Sequence, residues 1–258
     1  MKKIDRRFIK TSEDIEAMQE AGQINALALQ EVKALIAPGV TTRALDQRAE
    51  EVIRDHGGIP TFKGYPGPYP YPATLTICIN EEMVHGIPSG RELQEGDIVS
   101  IDCGTTYQGF VGDSAFSAGV GEIPAESRKL LEVTEKSLYK GIEQMKPGNH
   151  VGDIGAAVQK HVESHGFYVP RKYTGHGVGR EMHEPPQVPN YGVPGQGMEL
   201  EEGMTIAIEP MVLIGTPETR VLADQWTVIS ADQSLTAHFE HTVAVTANGP
   251  LILTGWEG

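Results

Sequence analysis

The sequence predicts an α+β fold built from two halves related by a pseudo-two-fold axis, with an antiparallel sheet covered by helix pairs. Two self-similarities lead there. Shifted by 109 residues, Pro38-Gly39 falls on Pro147-Gly148, Leu45, Ala49 and Ile53 on Ile154, Val158 and Val162, and His56-Gly57 on His165-Gly166. Shifted by 107, LQEGDIVSID (93–102) falls on LEEGMTIAIE (200–209), which aligns Asp102 with Glu209. Two matches in the same order at nearly the same offset indicate internal repetition, which has to be sought before a fold is assigned. A third observation is the grouping of helices before or between strand clusters, unlike the strict βαβ alternation of a dinucleotide fold.

The elements follow in chain order. Thr11-Ser12-Glu13-Asp14 reads as a capped helix start with acidic residues in its first turn. Apolar positions then recur from Ile15 and Met18 through Val32 and Ile36, and Pro38-Gly39 ends the helix. A second helix places Leu45, Ala49, Val52 and Ile53 on one face and stops at His56-Gly57-Gly58. The stretch 64–72 (GYPGPYPYP) is a loop carrying three aromatics. Strands are predicted at 74–80, 98–103, 106–116 and 238–246. The chain is read as a single domain, 1–258, with halves at about 11–120 and 121–250.

Composition excludes several classes. With 258 residues, 39% hydrophobic and 22% charged, the chain can bury a substantial core and is not disordered. No apolar run approaches the ~20 residues of a membrane span, and MKKIDRRFIK lacks the apolar stretch of a signal peptide. Cys78 and Cys103 are too few for a disulfide framework, so a cytoplasmic location is expected. A net charge of −14 without a basic block argues against nucleic-acid binding. A monomer is the default expectation.

The duplication singles out chemistry. Asp102 and Glu209 end equivalent strands, and carboxylates brought together in a core need cations or protons. Asp113, eleven residues after Asp102, can face it across a glycine-bearing hairpin. Glu240, in HFEHTVAV, lies on a late strand of the second half. Four converging carboxylates call for about two divalent ions. His176 in YTGHGVG is flanked by glycines that leave its imidazole unshielded; His183 follows in MHEPP, and His85 stands in MVHGIP. Other residues read as ordinary. His56 and His165 occupy matching helix ends and are expected to cap carbonyls, while His150, His161 and His238 are expected at the surface. GHGVG lacks the spacing of a phosphate loop, and no G-x-S-x-G elbow is present.

VHGIP, IDCG…GFVGD, YTGHGVGREMHEPPQVP, AIEPM and FEHT resemble, in order and spacing, the signature of type I methionine aminopeptidases, from Thr11 to about Thr254. The resemblance implies the "pita-bread" fold with two metal ions between the halves. It implies that Asp102 holds one ion, that His176 and Glu209 hold the other, and that Asp113 and Glu240 bridge them. His85 and His183 would contact substrate, and Glu209 would act as general base. An oxygen-rich donor set favours manganese, iron(II) or cobalt(II). The implied substrate is the initiator methionine of nascent polypeptides near the ribosome, with a small second residue. Phe62, Tyr65, Tyr71, Met182 and Trp226 are nominated for an apolar side-chain pocket. Val84 stands where many relatives have cysteine, Met182 where an aromatic is common, and the 64–72 loop is longer than usual. The rival reading is an Xaa-Pro dipeptidase or aminopeptidase P, which shares the fold and metal set. FEHT and VHGIP favour the first reading.

Overall fold

The computed structural model describes residues 4–256, so the first residues of the charged N-terminal stretch lie outside it. The first half of the chain contributes helices α1 (Ser12–Ala34) and α2 (Thr42–Asp55) and strands β1 (Ile59–Pro60), β2 (Leu75–Ile79), β3 (Glu82–Val84), β4 (Ile98–Tyr107) and β5 (Phe110–Gly119). Helices α3 (Ala125–Ile142) and α4 (Val151–Ser164) follow, then β6 (Thr174–Gly177), β7 (Glu184–Pro189), β8 (Thr205–Ile208) and β9 (Met211–Leu213). The chain continues through β10 (Thr219–Val221), β11 (Val228–Ser230), β12 (Thr236–His238), β13 (Glu240–Thr246) and β14 (Gly249–Ile252).

Local chemistry sets the boundaries. Thr11 and Asp14 form a reciprocal capping box at the start of α1. The helix ends at Ala34, one turn short of the Pro38-Gly39 stop read from the sequence. At the ends of α2 and α4, His56 Nδ1 and His165 Nδ1 each lie 2.8 Å from the carbonyl four residues back, matching the capping role expected of this pair. The predicted strand at 106–116 is divided: Gln108 and Gly109 both take positive φ (49° and 79°), the conformation of a two-residue hairpin turn, and the chain reverses there.

The main sheet has the antiparallel order β2-β4-β5-β13-β8-β6, with β1 also on β4, β7 beyond β6 and β14 on β13. This order reads symmetrically about the β5–β13 contact, with β4 matching β8, and it carries the pseudo-two-fold. Strand alternation then separates two faces. Ile101, Cys103, Phe116, Ile206, Ile208, Val243 and Val245 face the helices in one large apolar cluster. The intervening residues of the same strands face the other way. A smaller apolar cluster, with Phe62, Tyr71, Val178, Met182, Ala207 and Ala244, lies on that opposite side.

Helix α1 lies close against β5. Asn25 donates to the carbonyls of Cys103 and Gly112 (the latter at 3.2 Å) and accepts from Ser114 Oγ at 2.5 Å, so a buried amide locks the helix to the β4–β5 hairpin. Contact this close needs glycine on both sides: a Cβ on Gly112 would stand 2.7 Å from Gly22, and a Cβ on Gly22 would stand 2.2 Å from the Leu253 carbonyl oxygen. Gly22→Ala is therefore expected to destabilise the fold by about 1–3 kcal/mol, the usual cost of overpacking. Chemical denaturation should show a lowered midpoint with an unchanged m-value.

Candidate metal centre

The face turned away from the helices gathers the acids. On β4 and β5, Asp102 pairs with Ala115, and Gly104 with Asp113, so the two aspartates are diagonal neighbours on one face. Glu240 on β13 pairs with the same Ala115. The row Asp102–Ala115–Glu240 thus has a methyl group at its centre and acids at its flanks. Glu209 follows β8, two residues beyond Ala207, which pairs with both His176 and Thr242. The expectation that Asp113 would face Asp102 directly is corrected by one diagonal step, with no loss of proximity.

Asp113, His176 and Glu240 present ligand atoms within 4.8 Å of one another, and all three are buried. The His176 Nε2 atom stands 3.6 Å from Asp113 Oδ2 and 3.5 Å from Glu209 Oε1. Its Nδ1 donates to the Gly177 carbonyl at 2.9 Å, which leaves the Nε2 lone pair facing the acids. Burial pushes all four carboxyls above their usual range, Asp113 to about 7, and for Asp102, Glu209 and Glu240 the neighbouring acids add to the effect. Asp102 Oδ1, Asp113 Oδ1 and Glu240 Oε1 are buried with no hydrogen-bond partner. Unpaired acceptor oxygens beside an imidazole lone pair are the donor set of a divalent cation, so the residues fit a metal site.

A cavity of about 160 Å³ opens over this cluster. All five nominated pocket residues line it, as do His85, His183 and the five nominated ligands. Thr76, which the sequence reading passed over, also lines it and pairs with Asp102 across β2–β4. The far wall is built by the 64–72 loop. Gly64 donates to the Tyr71 carbonyl at 2.8 Å, and Tyr71 donates back to Tyr65 at 2.9 Å. The Tyr71 hydroxyl donates to the Leu75 and Gly86 carbonyls. Gly67 lies against the Trp226 indole, where a Cβ would come within 2.3 Å of the ring. Asp224 accepts from the backbone of Trp226 and Thr227, which holds the indole edge-on to Tyr71.

His85 sits in the left-handed region at φ 62°, an uncommon conformation for a side-chain-bearing residue that recurs at functional sites. Burial, and then the charge of His183, lowers it to about 4, so its imidazole is neutral. The loop that carries His183 is closed by Glu184, which accepts from the backbone of Arg180 and Glu181 and is paired with Lys10 at 2.5 Å. Both partners of that ion pair are almost fully buried.

One expectation is overturned. His238, read as a surface residue, is 2% exposed, and its Nε2 lies 3.8 Å from both Glu209 and Glu240. The signal was available: an extended chain turns residues two apart to the same side, and His238 precedes the nominated ligand Glu240 by two. His150 and His161 are half-buried, and His150 caps α4.

A profile of metallopeptidase family M24 matches residues 16–247. The chain is 49% identical over 245 residues to methionine aminopeptidase 1 of Bacillus subtilis, covering 95% of this chain and 98% of that protein. It is similar to the solved structure of methionine aminopeptidase from Thermotoga maritima, with TM-score 0.93, 46% identity, and 96% and 99% of the two chains covered. The prolidase from Pyrococcus furiosus is more distant, with TM-score 0.79, 26% identity, and 98% and 66% covered.

The raised carboxyls make stability depend on pH. A raised carboxyl contributes stability below its unfolded pKa and loses it as pH rises through the folded value. Near pH 6.5 the unfolded chain still holds protons on histidines that are buried neutral in the fold, so below about pH 7.5 these residues oppose the carboxyl slope. Metal-free protein is therefore expected to lose stability as pH rises above about 7.5, where the histidines are neutral in both states and the raised carboxyls go on ionising. Saturating divalent metal should remove that slope. Denaturant midpoints across the range, with and without metal, check both statements.

Proposed function

The chain belongs to metallopeptidase family M24, and on that premise we propose that it is a methionine aminopeptidase, a metal-dependent hydrolase that removes the initiator methionine from nascent proteins and peptides with a small second residue. The observation that carries this reading is the joining of a buried acid–imidazole cluster to an apolar cavity walled by Tyr71, Trp226, Phe62 and Met182. Such a cavity accepts one unbranched apolar side chain and brings the bond next to it to the acids.

In this reading two divalent ions would be held by Asp102 on one side and by His176 and Glu209 on the other, with Asp113 and Glu240 shared between them. Four carboxylates balance two divalent charges, and the oxygen-rich set suits manganese, iron(II) or cobalt(II). Bound there, the ions supply Lewis acidity and an activated water. Glu209 takes the proton of the attacking water. His183 donates a hydrogen bond to the scissile carbonyl oxygen, whose negative charge grows in the transition state. His85 hydrogen-bonds the scissile amide nitrogen and assists departure of the amine. The surrounding acids meet the free α-amino group, which restricts cleavage to the first peptide bond. No helix among the described residues is long and apolar enough to cross a membrane. The substrate's origin places the reaction in the cytoplasm, by a monomer acting as chains leave the ribosome.

The direct test offers Met-Gly-, Met-Lys- and Ala-Pro-headed peptides to metal-reconstituted enzyme. Met-Gly should be cleaved fastest, chelation should abolish turnover, and manganese, iron(II) or cobalt(II) should restore it. Preference for Ala-Pro would instead support the dipeptidase reading. A second experiment separates ligand from hydrogen-bond donor. His183→Ala should keep near-normal metal content and lose on the order of 10²–10³ in kcat, the cost of one transition-state donor. His176→Ala should weaken metal binding itself. Recovery of full rate by His183→Ala at high metal concentration would make His183 a ligand.

A further inference from the structure

Tyr65 was nominated as a wall of the side-chain pocket, yet its hydroxyl has a specific partner. It lies 2.7 Å from Nδ1 of His183, with the two rings edge-on at 5.4 Å. Neither residue is free to drift. The Tyr65 amide donates to the Phe62 carbonyl at 2.9 Å, and the Tyr65 carbonyl accepts from Tyr71 at 2.9 Å. His183 lies against the His176 ring at 4.2 Å, on the loop that Glu184 closes. We propose that Tyr65 is a positioning residue for the reaction: its hydroxyl donates to Nδ1 of His183 and so holds the imidazole proton on Nε2.

Donor counting fixes which ring nitrogen must carry the proton. A neutral imidazole carries one proton, on one of its two ring nitrogens. A peptide carbonyl oxygen only accepts, so a ring that donates to it needs that proton on the nitrogen left for substrate. With Nδ1 occupied by Tyr65, that nitrogen is Nε2. The reverse arrangement, Nδ1–H donating to the phenol, would offer the carbonyl a lone pair and repel the developing negative charge. A phenol satisfies the productive arrangement because it has a proton to give, whereas a phenylalanine ring at the same place has none. The same loop also presents Tyr71 to the cavity, so the segment that walls the side-chain pocket also sets the protonation pattern of the ring beside it.

This proposal rests on the role given to His183 above, and its test keeps the two separable. In Tyr65→Phe, kcat on a Met-Gly peptide should fall about 10- to 100-fold, the usual effect of losing an outer partner of a site residue. KM should stay within about twofold, and metal content should be unchanged. The double variant Tyr65→Phe/His183→Ala should be no slower than His183→Ala, because the two act through one hydrogen bond. Nitrogen-15 NMR of histidine-labelled enzyme, loaded with a diamagnetic divalent ion, should show His183 with its proton on Nε2 in the wild type and a mixed population in Tyr65→Phe. A wild-type ring protonated on Nδ1, an unchanged kcat in Tyr65→Phe, or additive losses in the double variant would overturn the proposal. If His183→Ala itself keeps full kcat, the role of His183 is what fails, and the NMR result still decides who donates to whom.

Discussion

Four carboxyl groups in one buried pocket repel one another when ionised, and the fold is organised around that repulsion. Asp102, Asp113, Glu209 and Glu240 are each enclosed, and three of their oxygens meet no donor. An arrangement of this kind persists only with positive charge or bound protons inside it. The antiparallel order of β4, β5, β13 and β8 puts the acids on one face through alternation, while the aliphatic residues between them pack under the helices. Ala115 keeps the middle of the row narrow. Asn25 and the Gly22–Gly112 contact press α1 onto the hairpin that carries both aspartates. The stability of the helix side therefore offsets the cost of holding the acids together.

The two sides of the site differ in construction. The ligand side consists of regular strands, whose pairing fixes each side chain to within a residue. The substrate side consists of loops pinned at a few points: the Tyr71 hydroxyl, the Asp224 turn under Trp226, and the Lys10–Glu184 pair beneath the His183 loop. That pair joins residues 174 apart in sequence. Both charges are withdrawn from water, which makes either partner costly to leave alone. The geometry around His183 thus depends on a lysine that precedes the first long helix.

Much of this was legible in the residues. The repeat exposed Asp102 and Glu209 as a pair, because a duplicated strand keeps its register when its composition drifts. The hairpin glycines exposed Asp113, although the turn falls at Gln108-Gly109 and the register makes it a diagonal neighbour. His176 stood out between glycines that let β7 and β8 approach, and a Cβ on Gly175 would meet the Ala207 carbonyl oxygen at 2.4 Å. His238 was legible too, because a strand over 238–246 puts it on the same side as Glu240, two residues on. The chain breaks at Phe239 between β12 and β13, yet both flanking residues turn toward the acids. The Tyr65–His183 bond and the Lys10–Glu184 pair left no local trace, since each joins segments far apart and no periodicity encodes such a meeting.

The strand order also bears on how the molecule comes into being. Glu240 lies on β13, which fills the centre of the sheet between β5 and β8, and the chain after it closes over α1 where Leu253 meets Gly22. A polypeptide still missing this last segment has Asp102 and Asp113 but neither the central strand nor the acid that stands beside them. During its own synthesis, then, the chain has no finished acid cluster until its last strands have left the translation machinery.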